Sequence, residues 1–471
     1  MSAQFHTIHG IRRIGVLGHV GNQNLGDEAI ISAVIQNVKS RCPEAQIYGF
    51  TLNPEDTERR HKIAAFPIRR AQNVAVDRIE LIGSGSIKTR LTLRRKIKSK
   101  LMTFPVAYVF LREIMKGVDT CRGALAELRF LVQSYHNLNG IDLLIIAGSQ
   151  QLIDYIGGPW GHTYTVFKWT LLAKAVNAKV AFVSVGAGPV SSSLGKFFAR
   201  KSLMLANYRS YRDETSKAFA ENLGVSGQHK LFPDLVYSLQ INTSPTEGSS
   251  GEALPIVGIN AIPFWDEQYW LGASARNYRT YIDKLATFAL WVIGRGYRVL
   301  FFPTQLKLDP PVIIDIKNVL RAKGASDLSE CVVDKPICSF DELVSAIRMT
   351  TVVVATRFHG IVIPFVLNKP VLGIAYQKKS LELMAQMGQA EYVVDINSFN
   401  VDSLKTRFVS LEARVAAIID ELEHKKSIFR QALQNQYDQL LSLIWREMHA
   451  VSIRKTDGTV LNVSSQINVK P

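Results

Sequence analysis

No apolar stretch in the 471 residues reaches the roughly 18 needed to span a bilayer. The N-terminus, with His6, His9, Arg12 and Arg13 among short apolar pieces, does not read as a signal peptide. These absences predict a cytoplasmic protein. Cysteine is scarce: Cys42, Cys121, Cys331 and Cys338 are scattered and none falls in a C-x-x-C pair, which points to buried free thiols in a reducing compartment. No metal cluster with ligand spacing is visible, so no metal and no cofactor is expected. Charged residues are only 20% of the chain and no long polar or repetitive block occurs, which excludes extended disorder away from the ends. Neither a G-x-G-x-x-G nor a Walker loop is present.

Acidic residues are outnumbered, leaving a net charge of +16. Such a balance attracts anions: nucleic acid, anionic lipid headgroups or phosphorylated substrates. Nucleic acid is set aside, because there is no Cys/His finger, no RNP-type aromatic strand and no heptad run after a basic region.

At this length one ordinary core is exceeded. Apolar runs typical of buried parallel strands alternate with amphipathic stretches: Arg13–Gly18, Asp142–Ala147, Lys179–Val185, Pro255–Asn260, Tyr297–Phe302 and Thr351–Ala355. Helical patterns lie at Glu28–Val38, Tyr164–Val176, Tyr278–Ile293 and Pro311–Arg321, and Ser202–Leu223 reads as a helix carrying a short strand-like Tyr208–Tyr211. Ser244–Gly251 is linker-like. The alternation predicts an α/β protein of two Rossmann-like, doubly wound lobes, residues 1–243 and 252–400, with helices over 401–450 packing across both and a frayed tail at 451–471. Ligands of such lobes sit at the carboxyl ends of the strands, where loops converge.

The candidate chemistry lies on those loops. Gly21–Glu28 joins the first strand to its helix; Asn24, Gly26, Asp27 and Glu28 are candidates there, although Asp27 reads equally as a helix N-cap and Glu28 as a first-turn charge. Gly148, Ser149 and Gln150 open a second loop that continues to a glycine cluster at Gly157–Gly161. Gly186 and Gly188 flank Ala187 in a third. Arg212, at a strand exit, offers a planar fork suited to carboxylate or phosphate. The strongest local signal is Thr351–Pro364, in which a buried β-branched strand runs into Arg357, His359 and Gly360 and then a helix. That places a guanidinium and a titratable group beside helix N–H groups, an arrangement suited to an anion.

Asn-Leu-Gly-Asp-Glu-Ala (24–29), Gly-Ala-Gly-Pro (186–189), Arg-Asp-Glu-Thr-Ser (212–216), Phe-Pro-Asp (232–234) and Arg-Phe-His-Gly (357–360), in this order, resemble the polysaccharide pyruvyl transferases. The resemblance implies two lobes of the glycosyltransferase B type and a reaction in which phosphoenolpyruvate (PEP) gives its pyruvyl group to a sugar as a ketal. It implies PEP contacts from Arg212, Arg357 and His359. Gly-Ser-Gln at 148–150 departs from the Gly-rich run often found in relatives. The reaction asks for an acid of near-neutral pKa, for which His359 is the candidate, and for a base, for which Asp27 or Glu28 is. The acceptor is expected to be a glycan or lipid-linked oligosaccharide. Rival readings are a nucleotide-sugar glycosyltransferase of the same fold and a non-catalytic anion-binding relative. Finally, residues 88–116, dense in Lys and Arg and then apolar, read either as a basic amphipathic segment touching an anionic membrane or as a solvated excursion.

Overall fold

The computed structural model describes residues 11–70, 123–155, 157–241, 254–266, 273–324 and 328–456. The basic stretch 88–116, the linker-like 244–251 and the tail beyond 456 lie outside the described residues.

The first lobe carries strands β1 (Arg13–Leu17), β2 (Gln46–Thr51), β3 (Ala64–Pro67), β4 (Leu143–Ala147), β5 (Gln150–Leu152), β6 (Lys179–Ala187), β7 (Tyr208–Tyr211) and β8 (Lys230–Leu231). They form a parallel sheet in the order β3-β2-β1-β4-β6-β7-β8, with β5 also paired to β6. Ile14 of β1 lies between Ile47 and Leu143 of its neighbours. Both sheet faces are covered, which is why β4, Leu-Leu-Ile-Ile-Ala, is apolar at every position and buried throughout. Helices α1 (Leu25–Arg41), α2 (Pro54–His61), α3 (123–138), α4 (His162–Ala175), α5 (Ser193–Leu205) and α6 (Glu214–Asn222) connect the strands.

The second lobe repeats the scheme with β9 (Ile256–Asn260), α7 (Ala275–Gly294), β10 (Arg298–Phe301), α8 (Asp309–Ala322), β11 (Val332–Val333), α9 (Phe340–Arg348), β12 (Val352–Ala355), α10 (Phe358–Val366), β13 (Val371–Ala375), α11 (Lys378–Gln386) and β14 (Val393–Asp395). Its strand order is β11-β10-β9-β12-β13-β14. Winding therefore reverses between β1 and β4 in the first sheet and between β9 and β12 in the second. Those switch points open crevices at the strand ends.

One core runs from the α1 side of the first sheet into the second lobe, and another lies beneath α3 to α6. Helices α12 (Val401–Glu412) and α13 (Val415–Thr456) follow. The last of these begins on the second lobe, where Lys426 bonds Asn368, and ends on the first, where Gln436 bonds Ser184 and Ser210 and Asp438 pairs with Arg41.

Two expectations are corrected. Ser202–Leu223 is not one helix: α5 stops at Leu205, β7 pairs with β6, and α6 restarts at Glu214 behind the N-cap Asp213. The thiols are not uniformly buried. Cys42 is buried, which raises its thiol to about 11, whereas Cys331 is half-buried and Cys338 exposed.

Candidate active site

The two switch-point crevices face each other and the lobes touch there through backbone. Leu25 N–H donates to Thr304 O at 2.8 Å and Leu306 N–H to Gln23 O at 2.9 Å, and the Gln305 side chain adds a bond from Nε2 to Asn22 O at 2.9 Å. Asn24 forms a bridge to Gln305. It is also the true cap of α1, its side chain accepting from Gly26 N–H. Asp27 is thus inside the first turn and its carboxyl is not needed as a cap.

Gly26 has a steric reason. A β-carbon there would fall 2.0 Å from Nδ1 of His359, so the second lobe's imidazole rests directly on the first turn of α1. Gly186 does the same for Arg212, whose Nη2 would lie 2.8 Å from an added β-carbon. Gly360 lets α10 close on Asn260, which accepts from the Arg357 N–H. Gly148 and Gly188 are left-handed turn residues at the exits of β4 and β6.

Around this contact the ionisable groups converge. Arg212 is buried, 3.3 Å from Asp234 and 3.4 Å from Asp213, with its guanidinium carbon 4.5 Å from the centre of the Phe358 ring. Lys379, from the first turn of α11, lies 5.3 Å from the same ring and donates to the Gln150 side-chain oxygen Oε1 at 2.7 Å. Burial, then the neighbouring Arg212, pulls Lys379 down to about 7, against the opposing Asp213, Asp27 and Asp234. Burial pushes Asp27 up to about 7, against a hydrogen bond with Ser149. One Asp27 oxygen has no hydrogen-bond partner. Two groups, one from each lobe, are thereby poised near neutrality.

His359 differs from expectation. Burial holds its imidazole at about 4; Asp234 opposes this, and Arg212, Lys379 and Arg357 reinforce it. It is neutral at pH 7, and its Nε2 lacks a partner. Arg357 is likewise not an open fork: Asp309 binds its Nε at 2.7 Å and Nη2 at 2.5 Å while accepting Thr304 and Gln305 N–H groups. Glu28 is committed to its own lobe, accepting from Gly21 N–H at 3.1 Å and bonding His61 Nε2 at 2.6 Å. That geometry argues against Glu28 as a base. Among the described residues no cluster of metal-ligating side chains occurs, and no helix is long and apolar enough to cross a membrane.

Sequence reading missed Lys379, Asp309 and the ring of Phe358. Lys379 had one signal. Lys378 and Lys379 open a helix directly after a buried strand, against the helix dipole and behind an N-cap Gln377 that makes no side-chain cap bond.

Two parallel, doubly wound sheets whose switch-point loops meet across a cleft define a protein of glycosyltransferase B architecture. The chain belongs to the polysaccharide pyruvyl transferase family, whose sequence profile matches residues 24–378. It is similar to the amylovoran biosynthesis protein AmsJ of Erwinia amylovora, 22% identical over 444 residues, 88% of this chain and 95% of that protein. Among solved structures, MnaA of S. aureus with UDP superposes with a TM-score of 0.53 at 10% identity, covering 92% of this chain and 97% of that one. HepE of Anabaena in complex with UDP gives 0.51 at 11%, covering 92% and 98%. At such identities the structural likeness is one of fold.

Proposed function

We propose that this cleft transfers the pyruvyl group of PEP to two hydroxyls of a glycan, forming a pyruvate ketal during polysaccharide assembly. The observation that carries the reading is the convergence of buried Arg212 and His359 and half-buried Lys379 from both lobes around Phe358, beside an Asp27 near neutrality. Family membership and the likeness to an amylovoran biosynthesis protein support it.

PEP carries a phosphate and a carboxylate on three carbons. Arg212 and Lys379 take these groups, the N–H groups opening α10 at Phe358, His359 and Gly360 add oriented dipoles, and Arg357 is held at its place by Asp309. The same anion changes His359. Its pKa is low through burial and through the nearby Arg212, Lys379 and Arg357; PEP neutralises Arg212 and Lys379 and so raises it, and the imidazole becomes a proton donor when substrate is present. Protonation of the PEP methylene carbon then makes C2 electrophilic. One glycan hydroxyl adds to C2, the C2–O bond to phosphate breaks, and a second hydroxyl closes the ketal. Of the two hydroxyl protons, Asp27 takes one and passes it on to restore the proton that His359 gave to the methyl carbon, and the other leaves with phosphate. Ser149 orients Asp27, and Gln150 orients Lys379.

Calorimetric titration tests the donor side. PEP binds and UDP does not, and Arg212→Ala or Lys379→Ala weakens PEP binding about 10- to 100-fold, the worth of a charge-assisted hydrogen bond. Because Lys379 is lowered to about 7 and binding restores its charge, PEP affinity falls as pH rises above 7, with proton uptake seen in buffers of different ionisation heat. Tight UDP binding without PEP binding would favour a nucleotide-sugar glycosyltransferase instead.

A further inference from the structure

Helices α3, α4 and α5 lie side by side over one face of the first sheet, burying Phe130, Trp169 and Leu203 in a shared core. Their outward faces are unusually apolar. On α3, Leu125, Leu128, Val132 and Tyr135 form an exposed stripe at helical spacing, Leu128 being 58% exposed. Leu194, Phe197 and Met204 project from α5 and Leu171 from α4. Trp160, just ahead of α4, is 64% exposed although its ring packs on Tyr164 and Phe198.

The charges on these helices are one-sided. Arg129, Lys168, Lys174, Lys196, Arg200 and Lys201 stand against a single carboxylate, Glu127, which is already paired with Arg70 and Lys168. Lys201 lies 5.8 Å from the Phe197 ring, and Lys168 is buried over Phe130. Of the other cations, Arg129 and Lys196 are exposed beside Leu128 and Phe197 of their own helices and Arg200 is half-buried, while Lys174 turns aside to bond Asn207.

We propose that the α3–α4–α5 face, with Trp160 at its edge, docks on an anionic lipid bilayer. Charge selects this occupant. A second copy on a two-fold axis would set these cations against themselves. Residues 88–100 of the same chain, with seven Lys and Arg and no acid, would be repelled by the face but attracted to the same surface. A bilayer satisfies both features, taking aromatic and aliphatic groups into the headgroup boundary while Lys and Arg meet anionic lipid. Trp160 belongs to the loop after β5, at the carboxyl end of the strands, the same end of the sheet as the cleft loops. The contact is independent of PEP chemistry and can hold whatever the acceptor is.

Sedimentation of the full-length protein with phosphatidylcholine vesicles, with and without phosphatidylglycerol, tests this. The protein pellets with the anionic vesicles only, and less as salt rises. Trp160→Glu with Phe197→Glu weakens partitioning about tenfold or more, and Lys196→Gln, Arg200→Gln with Lys201→Gln weakens it on the order of a hundredfold. Trp160, Phe197 and Lys196 are exposed and Arg200 and Lys201 half-buried, and unchanged circular dichroism and urea midpoints establish that the variants fold. Three results would overturn the proposal: no preference for anionic vesicles, wild-type binding by both face variants with loss only when the cations of 88–100 are replaced by Gln, or a dimer in solution that the face variants dissolve while vesicle binding persists.

Discussion

Asp27 shows how the site sets stability against function. Its carboxyl is raised from 3.8 to about 7 by burial, so the folded chain binds a proton that the unfolded chain has released between those pH values. Stability therefore falls as pH rises from 4 to 7, and the cost is complete above 7. Asp27→Asn removes the charge while keeping the shape. It is expected to stabilise the protein at pH 8 by up to about 4 kcal/mol, an advantage that shrinks toward pH 4, while turnover is lost. Urea unfolding at the two pH values, together with phosphate release, checks both halves. An unchanged midpoint at pH 8 would show that Asp27 is not buried as a charge. Lys379 carries the opposite sign: its lowered pKa makes the charged form costly below 7 and the cost disappears as pH rises toward its ordinary 10.5.

Elements bring these residues together, and the contact of His359 with the first turn of α1 is the most exacting of them. Gly26→Ala is expected to destabilise the protein by about 1–3 kcal/mol through overpacking and to cut turnover. In a His359→Ala background, where the imidazole is gone, the same substitution should cost little. Equal costs in both backgrounds would mean that the lobes do not meet through this pair. The elements also mark what could be read in advance. Strands such as β4 and β12 are buried on both sides, so their apolar runs were plain, and the motifs at 24–29, 212–216 and 357–360 fell at strand ends as expected. Strands β8 and β11, two residues each, carry no pattern of their own and exist because a neighbour offers hydrogen bonds. The employment of Glu28 by His61 and of Arg357 by Asp309 was hidden for a similar reason. Those partners lie on other elements, and only the folded chain decides which carboxylate meets which cation.

For the whole molecule the decisive element is α13, which joins the lobes from behind. Leu433, Tyr437, Leu440 and Leu441 are buried in the core shared between them, and Arg41, wholly buried, is held by Asp438 and Gln434. The lobes should consequently unfold together. Leu440→Asp is expected to split a single calorimetric transition into two, the first lobe melting earlier; one transition at a lower temperature would instead show that the interlobe contacts at the cleft suffice for cooperativity. The same helix has a consequence for how the protein is made. Ser210 waits for Gln436, 226 residues further along the chain, which at about 5–20 residues per second of synthesis is roughly 10–45 s. Through that interval the nascent first lobe has an apolar, partly unsatisfied flank where α13 will lie, and its maturation is timed by the ribosome's arrival at the last helix.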